Sequence, residues 1–561
     1  MKYRALAEIY EELQATPSKL AKAEIVAKLL KKTPAELLDK VTLLVSGHVF
    51  PEWSDEKLGI ADKLVIRAIS KATGVSPQDI TTESNKTGDL GLTAENLIGR
   101  KKQRTLGQRD TTIELVFNNL QKIAHQEGSG SQEKKIDLIA ELLSGADALE
   151  ARYIVRTALE QMRIGVAKGI IRDAIALAFE IDKKVVETAL DTTPNYGLVA
   201  KIAREKGETG LKKITFTLGE PFQVILAEKI PSIREAIEKF DNVILEYKYD
   251  GMRTLIHKKD DKVWIFTRNL EDITKAFPDI VELVRKNVKA KDCILDGETI
   301  GLTEKGKAIP FQKLSTRIKR KHDVKEHSEN IPIQVNLFDI IYLEGDILTD
   351  LSLKERREIL AKIIKVQKGK FQFTEFLIPK TLAEAEKFYN TALKLGHEGL
   401  IAKNLDAKYI PGRRVAGGWL KIKPVMENLD VVIIGGVWGT GKRVGALGSL
   451  ILGLKVDGKF LACGKLGTGL KEIEQETGTT LSQITKLLKP HIISEHGSEV
   501  KIKPKIVIEV AYEEIQKSPQ YESGFALRFP RFIRLRDDKN PEQADDINRI
   551  NVLYKQQKGK R

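Results

Sequence analysis

Near residue 220 the period of the apolar residues changes, and that change constrains the fold of this 561-residue chain more than any other feature. Upstream, apolar positions recur at helical spacing through Leu6–Leu13, Leu20–Leu30 and Ile136–Leu143. Thr33-Pro34 reads as an N-cap and N1 proline, and Gly47–Trp53 and Gly128-Ser129-Gly130-Ser131 read as breaks. Residues 1–219 are therefore expected to form an all-α domain. Downstream, short β-rich runs (Val243–Tyr247, Thr254–His257, Val263–Thr267, Ile333–Leu337) alternate with helical patterns at Leu353–Val366 and Leu382–Leu395. That mixture predicts an α+β domain over 220–426. Past Leu429 the runs are almost all β and are punctuated by glycine, which predicts a small β-barrel over 427–561, ending in a frayed basic tail. No internal repeat is visible.

Charge narrows the function class without locating a site. Lys plus Arg number 93 against 78 Asp plus Glu, a net of +15, which favours a polyanionic partner. The excess is uneven: +3 over residues 1–219, +7 over 220–426 and +5 over 427–561. Any polyanion contact in the helical segment must then come from a local face. Arg152, Arg156 and Arg163 fall within about 40° of one another on an ideal helix and are the candidates, with Gly165 opening backbone amides nearby. Lys134 and Lys135 are a weaker second pair. The only two cysteines, Cys293 and Cys463, cannot build a Cys-rich zinc module or a disulfide framework. With no apolar leader and no long apolar run, the expectation is a soluble, cytoplasmic protein.

The segment that carries chemistry is Glu246-Tyr247-Lys248-Tyr249-Asp250-Gly251-Met252-Arg253. A lysine ends an apolar strand, and an acidic-glycine turn brings an arginine back beside it. An amine attacks only after losing its proton, which a neighbouring cation promotes. In isolation the pattern also describes an exposed lysine before a hairpin. Its companions follow in order: Thr267-Arg268-Asn269, Asp296-Gly297-Glu298, Leu337-Phe338-Asp339, Glu398-Gly399-Leu400-Ile401-Ala402-Lys403, Trp419-Leu420-Lys421-Ile422-Lys423, and Arg528–Lys539 with its dense cations.

This ordered set resembles that of the covalent nucleotidyltransferases, and over the whole chain it is most similar to the archaeal ATP-dependent DNA ligases. Gly128–Gln132 and Gln161–Val166 resemble their helical DNA-binding domain. Gly441-Lys442-Arg443, Gly448-Ser449, Lys465–Gly469 and Glu509–Ser518 resemble their C-terminal domain, an OB-fold. The resemblance implies sealing of 5′-phosphate/3′-hydroxyl nicks in duplex DNA, in replication, repair and recombination. Lys248 would carry AMP from ATP, which then moves to the 5′-phosphate. Arg253, Arg268, Arg414 and Lys421 would contact phosphate or ribose, with Lys403 and Lys423 as further phosphate contacts. Glu298 and Glu398 would serve Mg²⁺, with Mn²⁺ a possible substitute, and Glu298 also the ribose. Phe338 would stack on adenine and Glu246 lie at its edge. Arg531 and Lys539 would orient pyrophosphate, from a domain that swings about Met426–Leu429.

Two departures from the family pattern stand out. Val224-Ile225-Leu226-Ala227 replaces a run that relatives write as Pro-Met-Leu-Ala, which keeps the segment apolar. Gln103-Arg104-Thr105-Leu106-Gly107 lacks the aromatic pair of a sliding-clamp-binding segment, so clamp binding there is not expected to follow the usual pattern. A monomer on nicked duplex DNA is expected. An NAD-dependent ligase would need four zinc cysteines. Capping enzymes and RNA ligases lack the large helical segment. A catalytically dead scaffold would have lost Lys248, Glu298, Glu398 or Lys421.

Overall fold

Helices fill the chain from Tyr3 to Lys212, and sheets dominate beyond it. The computed structural model describes residues 1–557 except 52, 55, 57, 101–109, 127, 129, 319–330, 413–417, 425, 440–444 and 471–478. Contacts divide the chain into two compact units. One comprises Met1–Glu228, Gly251–Thr374 and Asn404–Trp419, and the other Lys229–Asp250, Glu375–Lys403 and Leu420–Arg561.

In the first unit the expected helices appear as Tyr3–Ala15, Lys19–Lys32 and Ser131–Gly145, each turning its apolar stripe inward. Leu6, Tyr10, Leu30, Ile139 and Ile154 are fully buried in one shared core. Thr33-Pro34 differs from the expectation. The Thr33 hydroxyl donates back to the Leu29 carbonyl (2.8 Å) and closes the preceding helix, and Pro34 precedes a single 3₁₀ turn, Ala35–Leu37. A backbone ending one helix had no freedom to start the next with the same side chain.

Asp89 organises the next layer. Its carboxylate caps the helix Leu90–Gly99 through the Gly91 and Leu92 N–H groups (2.7 and 3.1 Å) and pairs with Arg156 at 2.9 Å. Gly91 is required by close approach, since a Cβ there would lie 2.8 Å from the Arg152 carbonyl oxygen. The helix Ala148–Ala158 begins with a reciprocal Asp147–Glu150 capping box. It ends before Arg163, so the three arginines do not share a helix face. Arg152 and Arg156 are buried, paired with Glu11 and Glu95 and with Asp89 respectively. A guanidinium pointing inward needs such partners, and here they consume it. Arg163 is half exposed, takes a positive φ of 57° and also reaches Asp89 at 3.3 Å.

The same unit holds a seven-stranded sheet. Its main path runs Lys262–Phe266, Met252–Lys259, Asp292–Leu302, Ile333–Leu343, Asp346–Ile347. The antiparallel pairing of Met252–Lys259 with Asp292–Leu302 sets Arg253 opposite Glu298. His257, fully buried on the same strand, accepts a hydrogen bond at Nδ1 from the Gly219 N–H (3.2 Å). It thereby pins the end of the segment that leaves the helical region.

In the second unit, Val243–Lys248 lies within a five-stranded sheet between Gly399–Asn404 and Phe376–Leu377. The helices Ile233–Glu238 and Leu382–Lys394 cover it through Ala236, Ala385 and Ala392. A seven-stranded sheet follows in the order Lys459–Leu466, Leu447–Val456, Leu429–Trp438, Glu499–Ile502, Ile492–His496. Val507–Ala511 also pairs Leu429–Trp438 and carries Arg531–Leu535 on its other edge, and Glu514–Lys517 and Phe525–Arg528 form a separate pair. An isolated bridge, in which the Phe532 N–H donates to the Thr468 carbonyl (3.0 Å), links Arg531–Leu535 to the segment just after Lys459–Leu466. Two helices accompany the strands in what reads in sequence as almost all β, Leu481–Leu488 between strands and Ile547–Gln556 after the last one. Among the described residues no helix is long and apolar enough to cross a membrane.

Burial pushes the His257 imidazole down from 6.5 to about 3. The unfolded chain therefore binds a proton that the folded chain refuses between those values, so stability is full above about pH 6.5 and falls as pH drops towards 3. Each such group contributes a slope of up to about 1.4 kcal/mol per pH unit. Urea unfolding of wild type and His257→Leu from pH 7 to 4 should show the variant with the shallower decline.

Candidate active site

Lys248 is the last residue of the strand Val243–Lys248, and Glu246 lies on the same face by the two-residue alternation. The Lys248 ammonium sits 2.6 Å from Glu398 Oε2, and the Glu398 N–H donates to the Lys248 carbonyl (2.8 Å). Backbone and side chain of the lysine are thus both held by one residue. The same carboxylate oxygen takes Lys423 at 2.9 Å, and Lys423 reaches on to Glu513 at 3.5 Å. Burial alone would raise the Glu398 carboxyl, but the charges of Lys248 and Lys423 outweigh it and hold the group well below the usual carboxylate range.

The glycine after Glu398 is a physical necessity. Gly399 has φ +140°, and a Cβ would stand 2.1 Å from the Ile422 carbonyl oxygen. The close approach brings Gly399–Asn404 against Trp419–Ile422, where Leu420 and Ile422 are buried and Lys421 alternates to the partly open face with Lys423. Glu246 and Lys403 form a buried ion pair at 2.6 Å. Behind Lys248 lies an aromatic group. Tyr247 stacks on Phe388 with centroids 4.5 Å apart, and His397 meets Tyr247 and Tyr249 at 5.1 and 4.8 Å. Burial pushes the His397 imidazole down to about 4, leaving it neutral at neutral pH.

In the first unit, Arg253 makes a two-pronged contact with Asp296, Nε to Oδ1 at 2.5 Å. Its guanidinium lies over the rings of Phe338 and Trp419, 4.9 and 5.1 Å from the centroids. Tyr409 donates from its hydroxyl to Asp296 Oδ2 (2.9 Å) and accepts from the Ile225 N–H (3.2 Å). Glu298 lies two residues beyond Asp296 on the same face of its strand, and Asn336 donates to its carbonyl (3.3 Å). Arg268 is exposed in the turn after Lys262–Phe266. Arg414 lies outside the described residues, as do Gln103–Gly107 and Gly441-Lys442-Arg443.

The C-terminal cations divide in the same way. Arg531 is exposed, whereas Lys539 and Arg536 both bind Asp430, at 2.6 and 2.7 Å, and Arg534 binds Glu509 at 2.6 Å. The structure thus gathers Lys248, Glu398 and Lys423 in one cluster and Glu246 with Lys403 in another. Arg253 and Phe338 meet in a third. Sequence reading gave no role to Asp296, Trp419 and Glu513, although each stands inside a motif it singled out, and it missed Tyr409 altogether. Asp296 carried a further signal, as the acid one alternation before Glu298 on a buried strand.

Comparison with known proteins places these clusters in one family. Residues 2–176 match the family described as DNA ligase N terminus, 224–423 the ATP dependent DNA ligase domain, and 443–539 the ATP dependent DNA ligase C terminal region. The DNA ligase of Thermococcus onnurineus is 44% identical over 99% of this chain and 98% of its own. Those of Nanoarchaeum equitans and Archaeoglobus fulgidus are 45% and 41% identical over 100% and 99% of this chain, each over 99% of its own. The solved structure Pmar-Lig_Pre shares the fold, with a TM-score of 0.54 at 17% identity over 95% of this chain and 99% of that one. The chain belongs to the ATP-dependent DNA ligase family.

Asp296 is fully buried, and removing its charge would strand the Arg253 guanidinium. Asp296→Asn should cost about 3–5 kcal/mol in denaturant unfolding. Tyr409→Phe, which removes hydrogen bonds but leaves the charges paired, should cost about 2 kcal/mol.

Proposed function

We propose that this chain seals 5′-phosphate/3′-hydroxyl nicks in duplex DNA at the expense of ATP, with Lys248 as the nucleophile. The observation that carries the reading is a strand-end lysine held at 2.6 Å by Glu398, in a chain of this family. The Lys248 amine attacks the α-phosphorus of ATP, a P–N bond forms and pyrophosphate leaves with the electrons of the broken P–O bond. AMP then passes to the 5′-phosphate of the nick, and the amine is released. Attack by the 3′-hydroxyl forms the phosphodiester and expels AMP. Such transfers depend on positioning and charge stabilisation. Glu398 holds the amine through its carboxylate and the Lys248 backbone carbonyl through its N–H, which fits that need.

The other roles follow from the family motifs. Arg268, Arg414, Lys421 and Lys423 contact phosphate or ribose, and Glu298 the ribose. Phe338 stacks on adenine. Glu246, paired with Lys403, lies at the base edge, and Lys403 orders it in preference to meeting phosphate directly. Arg253, tied to Asp296 and lying over two rings, supports Phe338 as well as the nucleotide. Glu298 and Glu398 are the proposed Mg²⁺ carboxylates, with Mn²⁺ as an alternative. Hard carboxylate oxygens suit Mg²⁺, which usually keeps several waters. The ion would neutralise charge on the polyphosphate.

Residues 1–219, 220–426 and 427–561 are proposed as the DNA-binding, adenylation and OB-fold domains of a cytoplasmic, nucleoid-associated monomer. Nick sealing must ignore sequence, so phosphate contacts should dominate. With Arg152 and Arg156 turned inward, Arg163 is the remaining candidate of the three. A sliding clamp is a further possible partner, with Gln103–Gly107 an atypical clamp-binding segment because it lacks the aromatic pair.

Incubation with α-labelled ATP and Mg²⁺ should label the wild-type protein covalently and leave Lys248→Ala unlabelled. A label on the variant would refute the assignment. Arg531→Ala and Lys539→Ala should slow labelling of Lys248 more than sealing of a pre-adenylated nick, and equal damage to both steps would remove them from pyrophosphate handling.

A further inference from the structure

The two carboxylates on Lys423 are unequal. Glu398 lies 2.9 Å away with its side chain 11% exposed, whereas Glu513 lies 3.5 Å away and is 53% exposed. Glu513 stands between the strands Val507–Ala511 and Glu514–Lys517, and its N–H donates to the Arg528 carbonyl (3.0 Å), which fixes its backbone. Nothing in the reaction described above uses it. Beside it opens a cavity of about 260 Å³ whose walls include His397, Glu398, Lys423 and Arg528.

Lys248, Glu398, Lys423 and Glu513 form a row of alternating charge with no net excess. A polyphosphate approaching Lys423 must displace a carboxylate from it. Glu398 is poorly placed to yield. It is shielded from water, its charge is held by two lysines, and freeing it would leave a poorly solvated anion. Glu513 can swing into water at the small cost of an exposed ion pair.

We propose that Glu513 is a placeholder for the terminal phosphates of ATP. It is a positioning residue that keeps Lys423 extended beside Glu398 while nucleotide is absent and gives way when polyphosphate binds. The inference rests on Lys248 and Lys423 forming the ATP site. It makes apo-enzyme affinity for ATP lower than Lys423 alone would allow, and it predicts the same penalty for pyrophosphate.

The test is the lysine-labelling step of the full-length protein with ATP and Mg²⁺, comparing wild type, Glu513→Gln and Glu513→Asp. Glu513→Gln should lower the KM for ATP about two- to fivefold at low salt and leave the maximal labelling rate unchanged. The gap should close at high salt, and Glu513→Asp should stay near wild type. Reversal of the labelled enzyme by inorganic pyrophosphate should show the same shift, while sealing of a pre-adenylated nick should not change. An unchanged or raised KM for Glu513→Gln, or a fall in rate at constant KM, overturns the proposal. A wild type that takes no label overturns the ATP-site reading and this inference with it. A labelled wild type with an unaltered Glu513→Gln overturns the inference alone.

Discussion

The Glu398 carboxylate is the contact on which the rest of the site depends. It sits within 3 Å of two ammonium groups, and the N–H of the same residue holds the carbonyl of the nucleophile candidate. Burial works against this carboxylate's charge, and the charges of Lys248 and Lys423 outweigh it, while the carboxylate in turn lets the two ammonium groups lie close together. Removing Glu398 would leave the two ammonium groups facing each other without an anion between them, whereas removing either lysine leaves the carboxylate paired with the other. Gly399 makes the arrangement possible, because the strand carrying Glu398 approaches Trp419–Ile422 too closely for any side chain at that position.

The first unit repeats the principle with different groups. Asp296 is fully buried and satisfied by Arg253 and Tyr409, and the guanidinium in turn lies over the rings of Phe338 and Trp419. Asp89 plays the same part among the helices, serving as a helix cap and as the partner of Arg156 and Arg163. In each case an internal anion recruits cations that a sequence reading would assign to an external polyanion. This is why net charge is a poor map of binding. Lys539, Arg534 and Arg536 are likewise held by Asp430 and Glu509.

Much of the architecture was legible. The change of period near residue 220 separates the helices from the sheets, and Leu353–Ile363 and Leu382–Lys394 fall where the helical patterns lie. The misses have local physical causes. Thr33 serves the helix behind it, a choice settled by the Leu29 carbonyl. Arg152, Arg156 and Arg163 fit one helical face by spacing, but the helix stops at Ala158, and spacing carries no information on where a helix stops.

The sequence by itself determined the order of the motifs, the strand-end position of Lys248 and the family to which the chain belongs. Motif residues are contiguous, so a linear string displays them. Tertiary structure decided which charge answers which. The pairs Lys248–Glu398, Lys423–Glu513, Lys403–Glu246 and Arg253–Asp296 join residues 43 to 157 positions apart along the chain, and only folding brings such groups within a few ångströms. Coulomb attraction and desolvation act through space, and their balance sets whether a given lysine or arginine is available to a ligand or already committed within the protein.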